Sequence, residues 1–281
     1  MEPIIIILPP LIEALPPGEH QLLLQIGEQE LYISVVHKQD QVVLAHLAIH
    51  HYHDWQENSW TAAWQMLEEK YPWLMRPWNK VFIFYQQGES TLIPATWFQT
   101  WYKEKIMEVL FGIQPDTMVF SDLIPEASIY NLYQVPRWLH GRVLRHFKTG
   151  ECWHQRTPEL RELFQRKTEE CIKVVFYPNR FVITVFQDAK LKLAQTYNYT
   201  SPEDVTYQLL QLVHHFEMDP EKIPVHLQGM IDRSSGVYRE VEKYFLELTC
   251  DIAADTWQLS PSFGEYPAHY FTAILTAAAC V

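Results

Sequence analysis

The chain has 281 residues, of which 48% are hydrophobic and 20% charged, a composition that is typical of a globular protein and excludes a disordered one. This length allows one large core or two domains of ordinary size. The formal net charge of −12 disfavours nucleic acid as a partner, because an acidic surface repels phosphate backbones. The four cysteines form no C-x-x-C pair, so no zinc site is indicated and reduced thiols in the cytoplasm are expected.

The first segment, residues 1–20, is rich in proline, and we predict an extended lead-in without a helix. Its apolar run at 4–8 follows an acidic residue and ends at two prolines, unlike the cationic start and longer apolar core of a signal peptide. No apolar run approaches the ~20 residues that span a membrane. We therefore expect a cytoplasmic protein that does not associate with membranes.

The first half, residues 21–135, begins with three runs of leucine and β-branched residues that are separated by polar turns, the pattern of an antiparallel meander. Asn58 or Ser59 is placed to cap a helix whose apolar residues recur at i, i+3, i+4 and i+7. Thr96 and Gly112 suit the two ends of a second helix. The predicted elements are strands at 22–26, 31–36 and 42–49, a helix at 60–71, a strand at 81–85, a helix at 97–111 and a strand at 117–120.

Residues 136–170 are predicted to be helices that connect the two halves. The preceding residues, 122–134, carry no regular pattern and are expected to be irregular. Pro136 fits the start of a helix that runs to about 147, and a second short helix is predicted at 160–168.

The second half, residues 171–281, repeats the order of elements of the first. Its clearest signal is a helix start, where Thr200 or Ser201 is the cap, Pro202 fits the first helical position, and two acids complement the helix dipole. The predicted elements are strands at 173–177, 182–186 and 191–199, a helix at 202–216, a strand at 225–227, a helix at 236–246, a strand at 248–252 and a helix at 267–279.

Each half thus has the predicted order β-β-β-α-β-α-β. Two such units in one α/β chain resemble the actin-like ATPase fold, a duplicated ribonuclease-H-like domain. Residues 197–204, 227–229 and 243–245, together with Tyr207, also resemble a bacterial family of unknown function that is described as having this fold. The resemblance covers most of the chain and implies a fold, but it implies no activity because that family has no established one.

The resemblance to the superfamily implies a nucleotide site between the halves, where an acidic-glycine turn in each half holds phosphates and magnesium. The matching turn of the first half keeps Gly27 but lacks the aspartate. Residues 177–180 of the second half contain no glycine or acid, and Pro178 has no N–H to donate. Gly229 and Gly236 lie where the superfamily contacts adenosine, although a strand-to-helix turn also explains a glycine there. The candidate nucleotide-binding residues are therefore Gly27, Gly229 and Gly236, with no cofactor as the favoured expectation and ATP with magnesium as the less favoured one.

Other patterns that carry chemistry are weak. One histidine-rich cluster fits either a metal site or, as we favour, an exposed polar corner; it comprises His50, His51, His53 and Asp54. The basic residues between 137 and 148 fit a solvated helix face better than a nucleic-acid-binding one. No G-x-S-x-G elbow and no phosphate-loop motif occurs. We therefore predict no catalytic and no metal-binding residues.

Aromatic residues make up 14% of the chain, and many of the tryptophans fall in the first half. They are Trp55, Trp60, Trp64, Trp73, Trp78, Trp97 and Trp101. Most are expected in the core, and the others are candidates to line a protein-binding groove. The prediction is an uncharacterised, non-catalytic cytoplasmic scaffold that binds a protein partner or itself. The alternative is a divergent nucleotide-binding ATPase or kinase-like phosphotransferase that uses the cleft between the halves.

Overall fold

The computed structural model describes residues 3–10, 12–50, 57–86, 89–112, 115–250 and 257–280. The chain divides into two compact units. Unit 1 comprises Met1–Glu162, Asp255–Gly264 and Thr276–Val281, and unit 2 comprises Leu163–Ala254 and Glu265–Leu275.

The strands and α-helices of the described residues are numbered in chain order. The strands are β1 (Pro3–Ile7), β2 (His20–Ile26), β3 (Glu30–His37), β4 (Val42–His50), β5 (Lys80–Tyr85), β6 (Ser90–Pro94), β7 (Thr117–Ile124), β8 (Ile129–Pro136), β9 (Glu151–His154), β10 (Cys171–Phe176), β11 (Arg180–Gln187), β12 (Lys190–Asn198), β13 (Val225–Gly229), β14 (Leu248–Cys250) and β15 (Gln258–Leu259). The helices are α1 (Glu57–Lys70), α2 (Lys103–Phe111), α3 (Arg137–His146), α4 (Arg156–Gln165), α5 (Pro202–His215), α6 (Gly236–Val241) and α7 (Thr272–Cys280).

Unit 1 is built on a mixed sheet in the order β1-β4-β3-β2-β5-β9, and β15 pairs with β4. As predicted, β2, β3 and β4 form an antiparallel meander, and β5 and β9 continue the sheet in parallel with β2. Every residue of β2 is buried, which explains its near-continuous hydrophobic sequence. Two helices complete this core with buried side chains: Trp60, Trp64 and Leu67 from α1, and Leu139 and Val143 from α3.

The N-terminal segment joins this sheet instead of remaining a simple extended lead-in. β1 pairs antiparallel with β4, because Ile5 and Ile7 provide apolar side chains that become buried there. Two short 3₁₀ turns follow, at Ile12–Ala14 and Pro17–Glu19, although no helix was expected.

A second, smaller antiparallel sheet is inserted into unit 1 between β5 and α3. Its order is β6-β8-β7, and α2 contacts β7 and β8. We call residues 90–136 the insertion. The expectation that residues 122–134 are irregular is wrong, because they pair in β7 and β8. The helix predicted from 97 begins only at Lys103, since the chain is still turning away from β6 where Trp97 donates its N–H to the Pro94 carbonyl.

Unit 2 has a sheet in the order β12-β11-β10-β13-β14, in which β10, β11 and β12 form an antiparallel meander and β13 and β14 run parallel to β10. The predicted start of α5 is confirmed as a capping box. The Ser201 hydroxyl accepts the Asp204 N–H at 3.3 Å, and the Asp204 carboxylate accepts the N–H groups of Thr200 and Ser201 at 2.8 and 2.9 Å.

Both units repeat one order of elements. Unit 1 contains β2-β3-β4-α1-β5-α3-β9, and unit 2 contains β10-β11-β12-α5-β13-α6-β14. The predicted order β-β-β-α-β-α-β is therefore confirmed, but the elements predicted at 97–111 and 117–120 are not its last helix and strand. They belong to the insertion, and α3 and β9 complete the repeat. β9 was missed because a strand of four residues leaves little periodic signal.

Candidate functional site

The first candidate residue, Gly27, lies in the tight turn between β2 and β3. Its N–H donates to the Glu30 carbonyl at 2.8 Å. A Cβ atom at position 27 would lie 2.1 Å from Oε1 of Glu30, whose side chain is fully buried. A side chain at position 27 would therefore require the carboxyl group of Glu30, which folds over the turn, to move.

The corresponding turn of unit 2, between β10 and β11, is closed by its own backbone and by neighbouring aromatic side chains. Tyr177 donates its N–H to the Arg180 carbonyl at 2.9 Å, and Pro178 has no N–H to offer. Tyr199 donates its N–H to the Asn179 carbonyl at 3.1 Å and its hydroxyl to the Tyr177 carbonyl at 3.3 Å. The Arg180 guanidinium lies 4.6 Å from the centre of the Tyr177 ring. These contacts fix the turn as a compact hairpin.

The other two candidate residues, Gly229 and Gly236, lie at the two ends of the connection between β13 and α6. Gly229 has a φ of +75°, and a Cβ there would lie 2.3 Å from the Phe176 carbonyl oxygen. Gly236 is the first residue of α6, where the Ser235 hydroxyl accepts the Tyr238 N–H. Local backbone geometry thus explains Gly229 and a helix start accommodates Gly236, while the contact of all three glycines with a nucleotide stays a prediction.

The buried carboxyl group of Asp122, in the insertion, lies at the carboxyl end of β9. Asp122 accepts hydrogen bonds from the His154 N–H at 2.7 Å, the Thr157 hydroxyl at 2.8 Å and the Tyr133 hydroxyl at 3.2 Å. Burial raises the pKa of Asp122 to about 6, although these donors act in the opposite direction. Nothing in the sequence pattern indicates this cluster, because Asp122 begins the segment that we expected to be irregular.

Three glutamines also lie near the carboxyl ends of β2, β5 and β9. Gln25 donates to the side-chain oxygen of Gln155 at 2.8 Å, and Gln155 donates to Glu159 at 3.2 Å. Gln86 follows β5, and neither polar atom of its buried amide has a hydrogen-bond partner among the described residues.

One cysteine lies beside a tyrosine and a histidine, but the group is not a nucleophilic centre. The Tyr85 hydroxyl lies 2.9 Å from Nδ1 of His140 and 3.9 Å from Sγ of Cys152. Burial raises the pKa of Cys152 to about 11 and lowers the pKa of His140. The thiol is therefore protonated at neutral pH, whereas nucleophilic cysteines need the thiolate.

The tryptophans of the first half divide between the core and the surface. Trp60, Trp64 and Trp73 are buried, whereas Trp97 is 76% exposed and Trp101 is 69% exposed. Both exposed rings lie just before α2, whose Val109 and Leu110 are 73% and 56% exposed. We call this group of side chains the insertion surface; it comprises Trp97, Trp101, Tyr102, Val109 and Leu110. Trp55 lies outside the described residues.

A groove of about 460 Å³ lies on another side of α2, against β7 and β8. Its lining includes Met107 of α2, Val119 of β7 and Arg137 at the start of α3. Lys103 crosses from α2 to β7, where its Nζ donates to the Val119 carbonyl at 2.7 Å. The insertion therefore offers both a groove and an exposed apolar surface.

Two polar clusters of the sequence remain, the histidine-rich cluster and the basic segment between residues 137 and 148. The histidine-rich cluster lies outside the described residues, apart from the backbone of His50, and no group of three or more potential metal ligands occurs in the part of the chain that the structure describes. In the basic segment, Arg142 pairs with Glu57 at 3.0 Å and His146 pairs with Glu68 at 3.0 Å. The pair with Glu57 neutralises the charge of Arg142, and burial lowers the pKa of His146, so this histidine adds no positive charge at neutral pH.

Comparison with protein families settles the family of the chain. Residues 13–248 match the family described as "Protein of unknown function (DUF3822)". The chain belongs to this family. No curated protein matches it.

Solved structures show the fold of this DUF3822 protein. A Bacteroides thetaiotaomicron protein with an actin-like ATPase fold and unknown function is similar with a TM-score of 0.75 and 14% identity, over 94% of this chain and 97% of that one. A chain of the PilM-PilN type IV pilus biogenesis complex is similar with a TM-score of 0.63 and 10% identity, over 94% of this chain and 99% of that one. The ethanolamine utilization protein EutJ from Carboxydothermus hydrogenoformans is similar with a TM-score of 0.50 and 11% identity, over 94% of this chain and 90% of that one. The chain therefore has the actin-like ATPase fold, as the sequence predicted.

The fold implies ATP with magnesium, and the two turns fit this group poorly. The turn at Gly27 lacks the aspartate and is covered by the carboxyl group of Glu30. The turn at 177–180 contains Pro178 and uses the Tyr177 N–H within the hairpin. Phosphate binding by a turn needs accessible backbone N–H groups, and both turns are arranged for other contacts.

No helix of the described residues is long and apolar enough to cross a membrane. 

Proposed function

We propose that this DUF3822 protein is a non-catalytic, cytoplasmic scaffold that binds a protein partner through the insertion surface. The observation that carries the proposal is the exposure of two tryptophans and the apolar side chains of α2 within residues 97–110. Large apolar side chains grouped on a surface are typical of sites that a partner covers.

The energetic reason is the area that these side chains leave in water. A buried aromatic ring removes about 150–250 Å² from water. Because Trp97 and Trp101 are 76% and 69% exposed, covering one of these rings at about 25 cal/mol per Å² favours association by ~3–4 kcal/mol before the costs of binding are subtracted. Tryptophan and tyrosine are also the residue types that most often dominate binding energy at interfaces. Trp97 and Trp101 are therefore the expected anchors.

The spacing on α2 indicates the shape of the partner. Tyr102, Ile106 and Val109 lie at positions i, i+4 and i+7, so they share one face, while Met107 is buried on the side that contacts β7 and β8. An apolar stripe of this kind fits the apolar face of a partner helix. PilM, which has a similar fold, is seen in a complex with PilN, and this supports partner binding as a use of the scaffold.

The absence of catalysis in the proposal rests on the chemistry of the described residues. The thiol of Cys152 has a raised pKa, and the two turns that would carry phosphate chemistry are occupied by other contacts. All four cysteines are free thiols, which supports a reducing compartment such as the cytoplasm.

The proposal is tested by photo-crosslinking in the cells that make the protein. A photoreactive amino acid replaces Leu110 in one variant and Leu246 in a control, because Leu246 is 67% exposed but lies in unit 2. We expect one specific crosslinked protein from position 110 and none from position 246, and the purified partner must bind the wild-type chain in solution. A crosslink to a second copy of the chain would show that the insertion surface mediates self-association instead of binding a different protein. Equal, non-specific crosslinking from both positions would contradict the proposal.

A further inference from the structure

We infer that the side chain of Glu30 fills the mouth of the Gly27 turn, so that this DUF3822 protein excludes the nucleoside triphosphate that its fold implies. The inference does not depend on the insertion surface. It gives Gly27 a role that is opposite to phosphate binding, because the glycine makes room for a carboxyl group of the chain itself.

The carboxyl group of Glu30 lies directly against the Gly27 turn. Oε1, Cδ and Cγ of Glu30 lie 2.1, 2.5 and 3.0 Å from the position of a Cβ on Gly27. These distances place the carboxyl group against the α-carbon of the glycine, where a ligand would have to approach the turn. Because the side chain of Glu30 is fully buried, it is a packed part of the structure and not a mobile surface group.

Backbone groups of the same turn are also engaged in hydrogen bonds within the protein. Gly27 gives its N–H to the Glu30 carbonyl at 2.8 Å, and the carbonyl of Ile26 accepts the Gln86 N–H at 2.9 Å. A phosphate that approached Gly27 would have to displace the Glu30 carboxyl group and would face its oxygen atoms, which accept hydrogen bonds as phosphate oxygens do. The Gly27 N–H and the Ile26 carbonyl are therefore already paired within the protein.

The corresponding turn of unit 2 is closed by contacts of its own. Its turn is held by the contact between Tyr177 and Arg180 and by both hydrogen bonds from Tyr199. Pro178 removes one more donor from that turn. Each unit thus closes its own turn by a different set of side chains.

Calorimetry with the full chain tests the exclusion of nucleotide. MgATP is titrated into the wild-type protein and into the Glu30→Gln variant, which keeps a side chain of the same length. We expect no saturable heat from either protein up to about 1 mM ligand, as for a Kd of about 1 mM or weaker. Micromolar binding of MgATP by the wild-type protein would overturn the inference.

A double-mutant cycle tests the packing itself, with urea unfolding followed by tryptophan fluorescence, since all ten tryptophans lie in unit 1. Gly27→Ala is expected to lower the urea midpoint, because its Cβ overlaps the carboxyl group. Adding Glu30→Ala must recover most of that loss, whereas adding Glu30→Gln must recover little, because the longer side chain still fills the turn. If Gly27→Ala lowers the urea midpoint equally in the wild-type, Glu30→Ala and Glu30→Gln proteins, the side chain of Glu30 is not the reason for glycine at position 27.

Discussion

Replacement of Gly229 by alanine tests whether backbone geometry alone explains the glycine at this candidate nucleotide-binding position. Its φ of +75° costs an L-residue about 1–2 kcal/mol. The new Cβ would also lie 2.3 Å from the Phe176 carbonyl oxygen, whereas ordinary contact begins near 3.4 Å, so β10 and β13 must separate locally by about 1 Å. That movement weakens the hydrogen bond from the Met230 N–H to the same carbonyl, which is worth about 1 kcal/mol. We expect Gly229→Ala to lower the free energy of unfolding by about 2–4 kcal/mol.

The effect must be measured on unit 2, which contains no tryptophan, so amide hydrogen exchange of β10 and β13 is the suitable assay. Gly236→Ala is the matched control, because its Cβ meets only Pro202 at 3.4 Å, and we expect a change within about 0.5 kcal/mol. Equal losses from the two substitutions, or a neutral Gly229→Ala, would refute the reasoning.

Three further predictions concern other parts of the chain. Because burial raises the pKa of Asp122 to about 6, the folded state binds more protons than the unfolded state between about pH 4 and 6. Stability should fall by up to about 3 kcal/mol as the pH rises through that window, and urea titrations should show this slope reduced in Asp122→Asn. Ser201→Ala should lower the free energy of unfolding by about 1 kcal/mol and speed amide hydrogen exchange in the first turn of α5. An unchanged exchange rate would contradict a stabilising role of this cap. Leu110→Lys should change the urea midpoint little, because Leu110 is exposed, and a large loss would mean that it packs in a core.

The second half was predictable because local signals and tertiary structure agree there. Ser201, Pro202 and Asp204 start α5 in the sequence as they do in the structure. The meander of unit 1 was predictable for the same reason, since its strands are long and apolar.

The end of the first half was not predictable, because an insertion mimics the expected order. Strands β5 and β6, helix α2 and strand β7 follow α1 in the sequence, and nothing local distinguishes α2 from a core helix. Only the pairing of β9 with β5 shows that α3 and β9 complete the repeat. The exposure of Trp97 and Trp101 likewise follows from tertiary structure, because a tryptophan pattern is the same for a core and a surface.

The Gly27 turn shows a limit of motif reasoning. The turn keeps the glycine of the superfamily pattern but lacks its aspartate, so Gly27 was a candidate phosphate contact only, and Glu30, the residue whose side chain lies against it, is three positions later. Its side chain turns back over the glycine only because the hairpin brings the two residues together. Spacing in the sequence therefore located the turn but not what fills it.

The affinity of the crosslinked partner for three purified proteins tests partner binding through the insertion surface most directly. The proteins are the wild-type chain, Leu110→Lys and the control Leu246→Lys, which places the same charge on an exposed leucine of unit 2. We predict that Leu110→Lys weakens binding at least about tenfold, equivalent to ~1.4 kcal/mol, while Leu246→Lys binds as the wild-type chain does. Equal affinity of all three proteins would contradict binding through the insertion surface.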